Sequence, residues 1–178
     1  MADDLPLLYW DACIFYEHLN EEPVSPLRRQ AIDECLSENK EKRNKICTSV
    51  ITHLEVIPKK LDKDKEARYR GSFNSLYFFD IEVDRSVIVL ARSIKDYYFV
   101  PPAADGSGYK ILSTGDAVHL ATAIIHRASE LYTRDKNSKG GNIKLVGLPA
   151  ASPNGKICGI YDLRVTDPEA AQGALKLS

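Results

Sequence analysis

The chain has almost no net charge. Its 24 Lys and Arg residues against 25 Asp and Glu give a formal −1. That argues against the strongly basic footprint of a protein that holds nucleic acid mainly by charge. It leaves room for an enzyme that acts on nucleic acid, because net charge hides where the charges sit. Long hydrophobic runs are also missing. The longest, residues 87–91 and 121–125, fall far short of the roughly 20 apolar residues that span a membrane. The start, Met-Ala-Asp-Asp, is acidic and its apolar run at 5–10 is short, unlike a signal peptide. A cytoplasmic protein without a membrane partner is therefore expected. Cysteine is sparse: Cys13, Cys35, Cys47 and Cys158 include no Cys-x-x-Cys pair, so neither a zinc site nor a thioredoxin motif is indicated. Reduced thiols, partly in the core, are the expectation. No Gly-x-x-x-x-Gly-Lys-Ser/Thr loop points to an NTPase.

What remains is an ordinary globular composition: 178 residues, 44% hydrophobic and 28% charged. One domain over 1–178 is expected, with a core at about 5–148 and a C-terminal extension at 149–178. Short apolar strands are expected at 5–10, 46–48, 80–83, 131–133 and 142–148, with a late strand within 156–165. Between them, helical spacing marks a segment after Asp11 with Ile14, Phe15, His18 and Leu19 on one face, then 27–42, 49–56, 85–97 and 114–129. Tyr69, Phe73, Leu76 and Tyr77 share a helical face that reads as core. Alternating strands and helices imply a three-layer α/β/α fold with a mainly parallel sheet.

Four acids then take on meaning. Asp11 ends the first strand, Asp135 follows the strand at 131–133, Glu55 lies in the short third helix, and Asp116 sits in the first turn of the helix at 114–129. In parallel α/β sheets, strand C-termini and the following helix N-termini share one edge, where ligands bind. Clustered carboxylates repel one another, and a hard divalent cation relieves that repulsion. Oxygen ligands select Mg²⁺ or Mn²⁺. Such ions activate water and hold a scissile phosphate.

The segments around these acids carry a resemblance. Leu8-Tyr-Trp-Asp11-Ala-Cys-Ile-Phe resembles the opening motif of PIN domains. Thr48-Ser-Val-Ile-Thr-His-Leu-Glu55-Val resembles their second motif, and Leu112-Ser-Thr-Gly-Asp116-Ala-Val-His-Leu-Ala-Thr-Ala123 their third. Leu131-Tyr-Thr-Arg-Asp135-Lys-Asn resembles the fourth. Order and spacing agree over about 5–148. The resemblance implies a metal-dependent ribonuclease, often a VapC-like toxin paired with an antitoxin, with Asp11, Glu55, Asp116 and Asp135 as catalytic and metal-binding residues. RNA is the implied substrate, Mg²⁺ or Mn²⁺ the cofactor, and an antitoxin protein or a second copy of the chain the candidate partners. The rival reading is a PIN-like module that binds RNA or protein without cutting. Cys13 stands where the family often has Ser, Thr or Asn; Asn137 or Thr133 could supply the small polar residue near Asp135.

Each acid has an ordinary alternative. Ser113-x-x-Asp116 matches a capping box, and so does Thr52-x-x-Glu55; Asp135 suits a turn. Asp11 is hardest to dismiss, since an acid after a buried strand needs a partner or a metal. Thr48 and Ser49 read as helix caps, and Cys13 as a small core residue. His119, one turn after Asp116, could hydrogen-bond near the site, but reads first as a packed, satisfied histidine and not a ligand; His53 and His126 carry no signal. Arg134 suits a phosphate or a carboxylate partner equally. Lys40, Lys42, Arg43, Lys45, Lys59, Lys60, Lys63, Lys65, Arg68 and Arg70 read as solvated faces. The second half of that set could hold RNA backbone, with Tyr69 stacking on a base.

Overall fold

The computed structural model describes residues 5–20, 25–56, 61–104, 108–135 and 142–168. Elements run in the order β1 (Leu7–Trp10), α1 (Ala12–Asn20), α2 (Pro26–Lys40), β2 (Lys45–Ser49), α3 (Thr52–Glu55), α4 (Lys63–Ser72), β3 (Phe78–Ile81), α5 (Arg85–Tyr97), α6 (Thr114–Ile125), β4 (Glu130–Tyr132) and β5 (Arg164–Thr166). Five strands form one sheet in the order β3-β2-β1-β4-β5. Every pairing in it is parallel.

The two-residue period of a strand divides the core into two layers. Leu8, Trp10, Ile46 and Phe78 point to one face and pack with Ile14, Phe15, Leu19, Ile32, Cys35 and Tyr69. Tyr9, Cys47, Ile81 and Leu131 point to the other and pack with Val87, Ala91, Ile94, Leu120 and Ala121. Helices thus cover both faces, which gives the expected α/β/α layers. Residues 117–123 of α6 are all buried, so α6 runs through the core.

Helix ends follow local chemistry. Asp62, Asp84 and Ser113 accept hydrogen bonds from Lys65 N, Val87 N and Asp116 N, capping α4, α5 and α6. At the far end of α6, Ala128 N donates to Ala123 O at 2.9 Å and Arg127 N to Ile124 O at 3.1 Å. This is a Schellman close, with Arg127 at φ +56° where glycine is usual. Lys42 closes α2 in the same way at φ +58°.

Three expectations shift. The strand at 142–148 is absent apart from one bridge between Ile111 and Asn142. The amides of Leu145 and Val146 instead donate to Asp135 Oδ2 and Asp135 O, and Gly147 turns the chain at φ +87°. The late strand shrinks to β5, because Cys158 and Gly159, both at positive φ, turn the chain before it. The aromatic helix ends at Ser72. Ser75 Oγ accepts from Tyr77 N and Phe78 N, a local turn that draws the strand forward to Phe78 and leaves Leu76 87% exposed. The residues beyond 148 include β5, so they complete the sheet.

Candidate metal centre

The sheet order reverses beside β1: the chain leaves it for β2 and β3 on one side, then returns to β4 and β5 on the other. Crevices at such switch points bind ligands in α/β sheets. Asp11 stands at the end of β1, and its amide donates to Tyr132 O at 3.0 Å, extending the ladder to β4. It is 9% exposed. A carboxylate so buried needs donors. Its Oδ2 accepts from Thr133 Oγ1 at 2.7 Å and from the Cys13 thiol at 3.3 Å. Thr133 is fully buried, and its Oγ1 also accepts from Asp135 N at 3.1 Å. One hydroxyl therefore joins the acid after β1 to the acid after β4.

Glu55 ends the single turn of α3. Its carbonyl accepts from Tyr16 Oη at 2.9 Å. Its carboxylate makes no capping box with Thr52, whose Oγ1 lies 2.6 Å from Thr48 Oγ1. Thr48 in turn donates to Trp10 O at 2.7 Å. Ser49 Oγ accepts from Ile51 N in the turn that enters α3. Glu55 Oε2 instead meets His119 Nε2 at 2.8 Å. Asp116 keeps the expected capping backbone, its amide on Ser113 Oγ at 3.0 Å. Asp135 Oδ2 accepts from Leu145 N at 2.9 Å.

Donor atoms of Asp11, Glu55 and His119 all lie within 4.8 Å of one another. Asp116 and Asp135 stand outside that triplet but within its field. Burial holds the Asp116 carboxyl above its usual range, and the charges of Asp11 and Asp135 add to the rise. Burial pulls the His119 imidazole down, but the Glu55 hydrogen bond and the charges of Asp11, Glu55 and Asp116 outweigh it and leave it raised.

His119 is satisfied, as expected: Tyr9 Oη sits 2.7 Å from Nδ1. The hydrogen bond near the site that its place one turn after Asp116 allows is also made, to Glu55 Oε2. Cys13 packs against the core and also reaches the site. It is half-buried beside Asp11, its Sγ accepting from Arg134 N at 3.1 Å, and burial and Asp11 hold the thiol protonated. Arg134 pairs with Glu17 Oε1 at 2.6 Å. Glu17 is 1% exposed and also meets Arg28, which forks onto Asp167 at 2.9 and 2.7 Å. Glu17 was missed, although it lies one turn from Cys13 on the same face. Asn137 lies outside the described residues; Thr133 is the small polar residue that contacts Asp11 and Asp135.

The basic groups behave mainly as surface. Arg70 meets Glu66 at 2.5 Å, Lys65 meets Asp62 at 3.4 Å, and Arg43 meets Glu41 at 2.9 Å. Lys59 and Lys60 lie outside the described residues. Tyr69 is 6% exposed within the core, with its Oη on His53 Nδ1 at 2.8 Å, so it is no stacking platform. His53 also reaches Asp80 at 3.0 Å. A groove of about 460 Å³ between α5 and α6 is lined by Ile88, Ala91, Lys95, Phe99 and Val118 among others, and by none of the four acids. No helix among the described residues is long and apolar enough to cross a membrane.

The fold is a parallel α/β/α domain with Asp11, Glu55 and His119 drawn together at its switch point. The family model described as "PIN domain" matches residues 8–139, and the chain belongs to that family. Two solved structures are similar. A toxin–antitoxin complex from Klebsiella pneumoniae is 22% identical, covering 77% of this chain and 96% of the other at a TM-score of 0.49. VapBC2 from Rickettsia felis, bound to a DNA fragment from their promoter, is 13% identical, covering 90% and 98% at 0.55. The second shares the fold. No curated protein matches the chain significantly.

Proposed function

We propose that the protein is a Mg²⁺- or Mn²⁺-dependent endoribonuclease, a single PIN-like domain over 1–178, acting as the toxin of a toxin–antitoxin pair. The observation that carries this is the meeting of Asp11, Glu55 and His119 donor atoms within 4.8 Å at the switch point. The neighbouring complex from Rickettsia felis supports the antitoxin partner.

The residues suit a divalent cation. The Asp11 and Glu55 carboxylates converge beside the His119 imidazole that bonds Glu55, and a third carboxyl, Asp116, is held up by burial and by its acidic neighbours. A nearby cation would relieve that penalty. Asp11 and Asp116 would hold the principal ion, and Glu55 and Asp135 would complete the shell. Bound there, it supplies a Lewis acid that acidifies water and stabilises charge on the phosphate. The chain does the rest. Thr133 and Cys13 donate to Asp11 Oδ2, while Oδ1 lies 3.7 Å from His119 Nε2. Glu55, anchored through Oε2, offers Oε1 to orient the attacking water and take its proton. With water attacking phosphorus and the 3′-oxygen leaving, the products would be a 5′-phosphate and a 3′-hydroxyl, and no ribose 2′-OH takes part.

Cleavage of single-stranded and structured RNA is the test, with Mg²⁺ or Mn²⁺ and with EDTA. Cleavage is expected only with metal and lost in Asp116→Asn. Full activity in EDTA or in Asp116→Asn refutes the reading. RNA binding without cleavage, with no Mn²⁺ uptake by calorimetry, would make the chain a binding module.

A further inference from the structure

We infer that Tyr9, His119 and Gly115 form a positioning device for the Glu55 carboxylate, an inference that rests on the metal-site reading above. The need for one is geometric. Asp11 and Asp135 sit at strand ends and are held by Thr133 and Leu145. Glu55 sits on a helix of one turn, and its side chain is 37% exposed. A long, half-exposed carboxylate samples many rotamers unless something selects one.

Two features make that selection. The first is a relay out of the core. Tyr9 is fully buried in β1, and burial keeps its phenol protonated, since its pKa is pushed well above the usual value. Its hydroxyl meets His119 Nδ1 at 2.7 Å, and Nε2 meets Glu55 Oε2 at 2.8 Å. With Nε2–H donating to the carboxylate, Nδ1 shares the second hydrogen bond with Tyr9 Oη, the hydroxyl donating when the ring is neutral. The ring is also set edge-on to Tyr9, centroids 5.7 Å apart. The second feature is space. A Cβ on Gly115 would lie 2.6 Å from Glu55 Oε1, closer than real contacts allow. Gly115 lies within α6 and has no positive φ to explain the choice of glycine. Its missing side chain is the room the carboxylate occupies. A buried histidine could bond any two core groups; this one spends a nitrogen on a site acid that solvent also reaches.

Residues that orient metal ligands in this way are commonly worth 10–100-fold in metal affinity or activity. The test uses the full chain, with Mn²⁺ as probe in calorimetry, RNA cleavage as a second readout, and melting curves to verify folding. Gly115→Ala and His119→Leu should each weaken Mn²⁺ binding about 10–100-fold and lower kcat at unchanged KM. His119→Gln, whose amide N–H replaces Nε2–H, should stay within about threefold of wild type. A folded His119→Leu protein with unchanged affinity would overturn the inference. A glutamine variant as weak as the leucine one would overturn it too, making the imidazole a direct ligand. Nitrogen NMR of the metal-free protein reads the relay by itself: Nε2 should carry a slowly exchanging proton, and an unprotonated Nε2 refutes it. If wild type takes up no Mn²⁺, the nuclease reading fails and the NMR result alone decides the relay.

Discussion

Replacing Thr133 with valine isolates the hydroxyl that joins β1 to β4. The shapes match, so packing is kept. The lost Oγ1 donates to Asp11 Oδ2 at 2.7 Å and accepts from Asp135 N at 3.1 Å. A hydrogen bond to a charged group is worth about 1.5–3 kcal/mol and a neutral one about 1 kcal/mol. The new methyl returns about 0.8 kcal/mol. The balance is a loss of about 2–3 kcal/mol. Thr133 is fully buried, so water cannot replace the hydroxyl. For a chain of this length each kcal/mol moves Tm by about 2–4 °C, so Tm should fall by about 5–10 °C in calorimetry with EDTA. Thr133→Ser should recover most of the loss. A valine variant melting within about 1 °C of wild type, with cleavage intact, would refute the claim that this hydroxyl holds Asp11.

Asp116→Asn should stabilise the metal-free protein at neutral pH. Burial and the neighbouring acids raise the Asp116 pKa in the fold, so the folded state holds that proton more tightly than the unfolded chain does. Stability from this group is greatest in acid and is lost as pH rises through the folded value. Urea titrations should find the variant's advantage at pH 7 and none in acid; the opposite trend would contradict the assigned cause. Arg134→Ala should destabilise by about 1–2 kcal/mol in urea, leaving buried Glu17 with only Arg28 at 3.4 Å. Breaking a fully buried pair costs about 3–5 kcal/mol, and the exposure of Arg134 reduces that. Arg127→Gly should raise stability by about 1 kcal/mol, since a side chain at φ +56° is strained; no gain in Tm would refute that.

Much of this architecture is legible in the sequence. The strand runs before Asp11 and Thr48 and the helical stripe of Val87, Ala91 and Ile94 follow from periodicity, and the parallel sheet with helices on both faces follows from their alternation. The four acids were placed together because strand ends and helix starts share one edge; the structure brings Asp11 and Glu55 together with His119 and leaves Asp116 and Asp135 outside that triplet. The relay from Tyr9 was not legible, because a strand tyrosine on an apolar face reads as core until its hydroxyl has a partner. Glu17 was hidden for the opposite reason: a charged residue on a short amphipathic helix reads as solvent-facing. Its burial depends on Arg28, Arg134 and Asp167, which are remote in sequence. The lost strand at 142–148 shows tertiary override. Its apolar pattern is real, and Leu145 and Leu148 are buried, but Asp135 captures the backbone donors a strand would have offered its neighbour.

The near-neutral charge now has a structural meaning. Setting aside Asp11, Glu55, Asp116 and Asp135 leaves 21 acids against 24 bases, a formal +3. That surplus is not a free basic track. Arg134, beside the site, is spent on Glu17, and Arg70, Lys65 and Arg43 on surface acids. The four carboxylates alone would repel a phosphodiester. Two divalent ions would cancel their formal charge and one would halve it. On the proposed reading, the cation therefore does double duty at this crevice: it activates the nucleophile, and it makes the site electrostatically able to receive RNA. Metal dependence should accordingly appear in RNA affinity as well as in the cleavage rate.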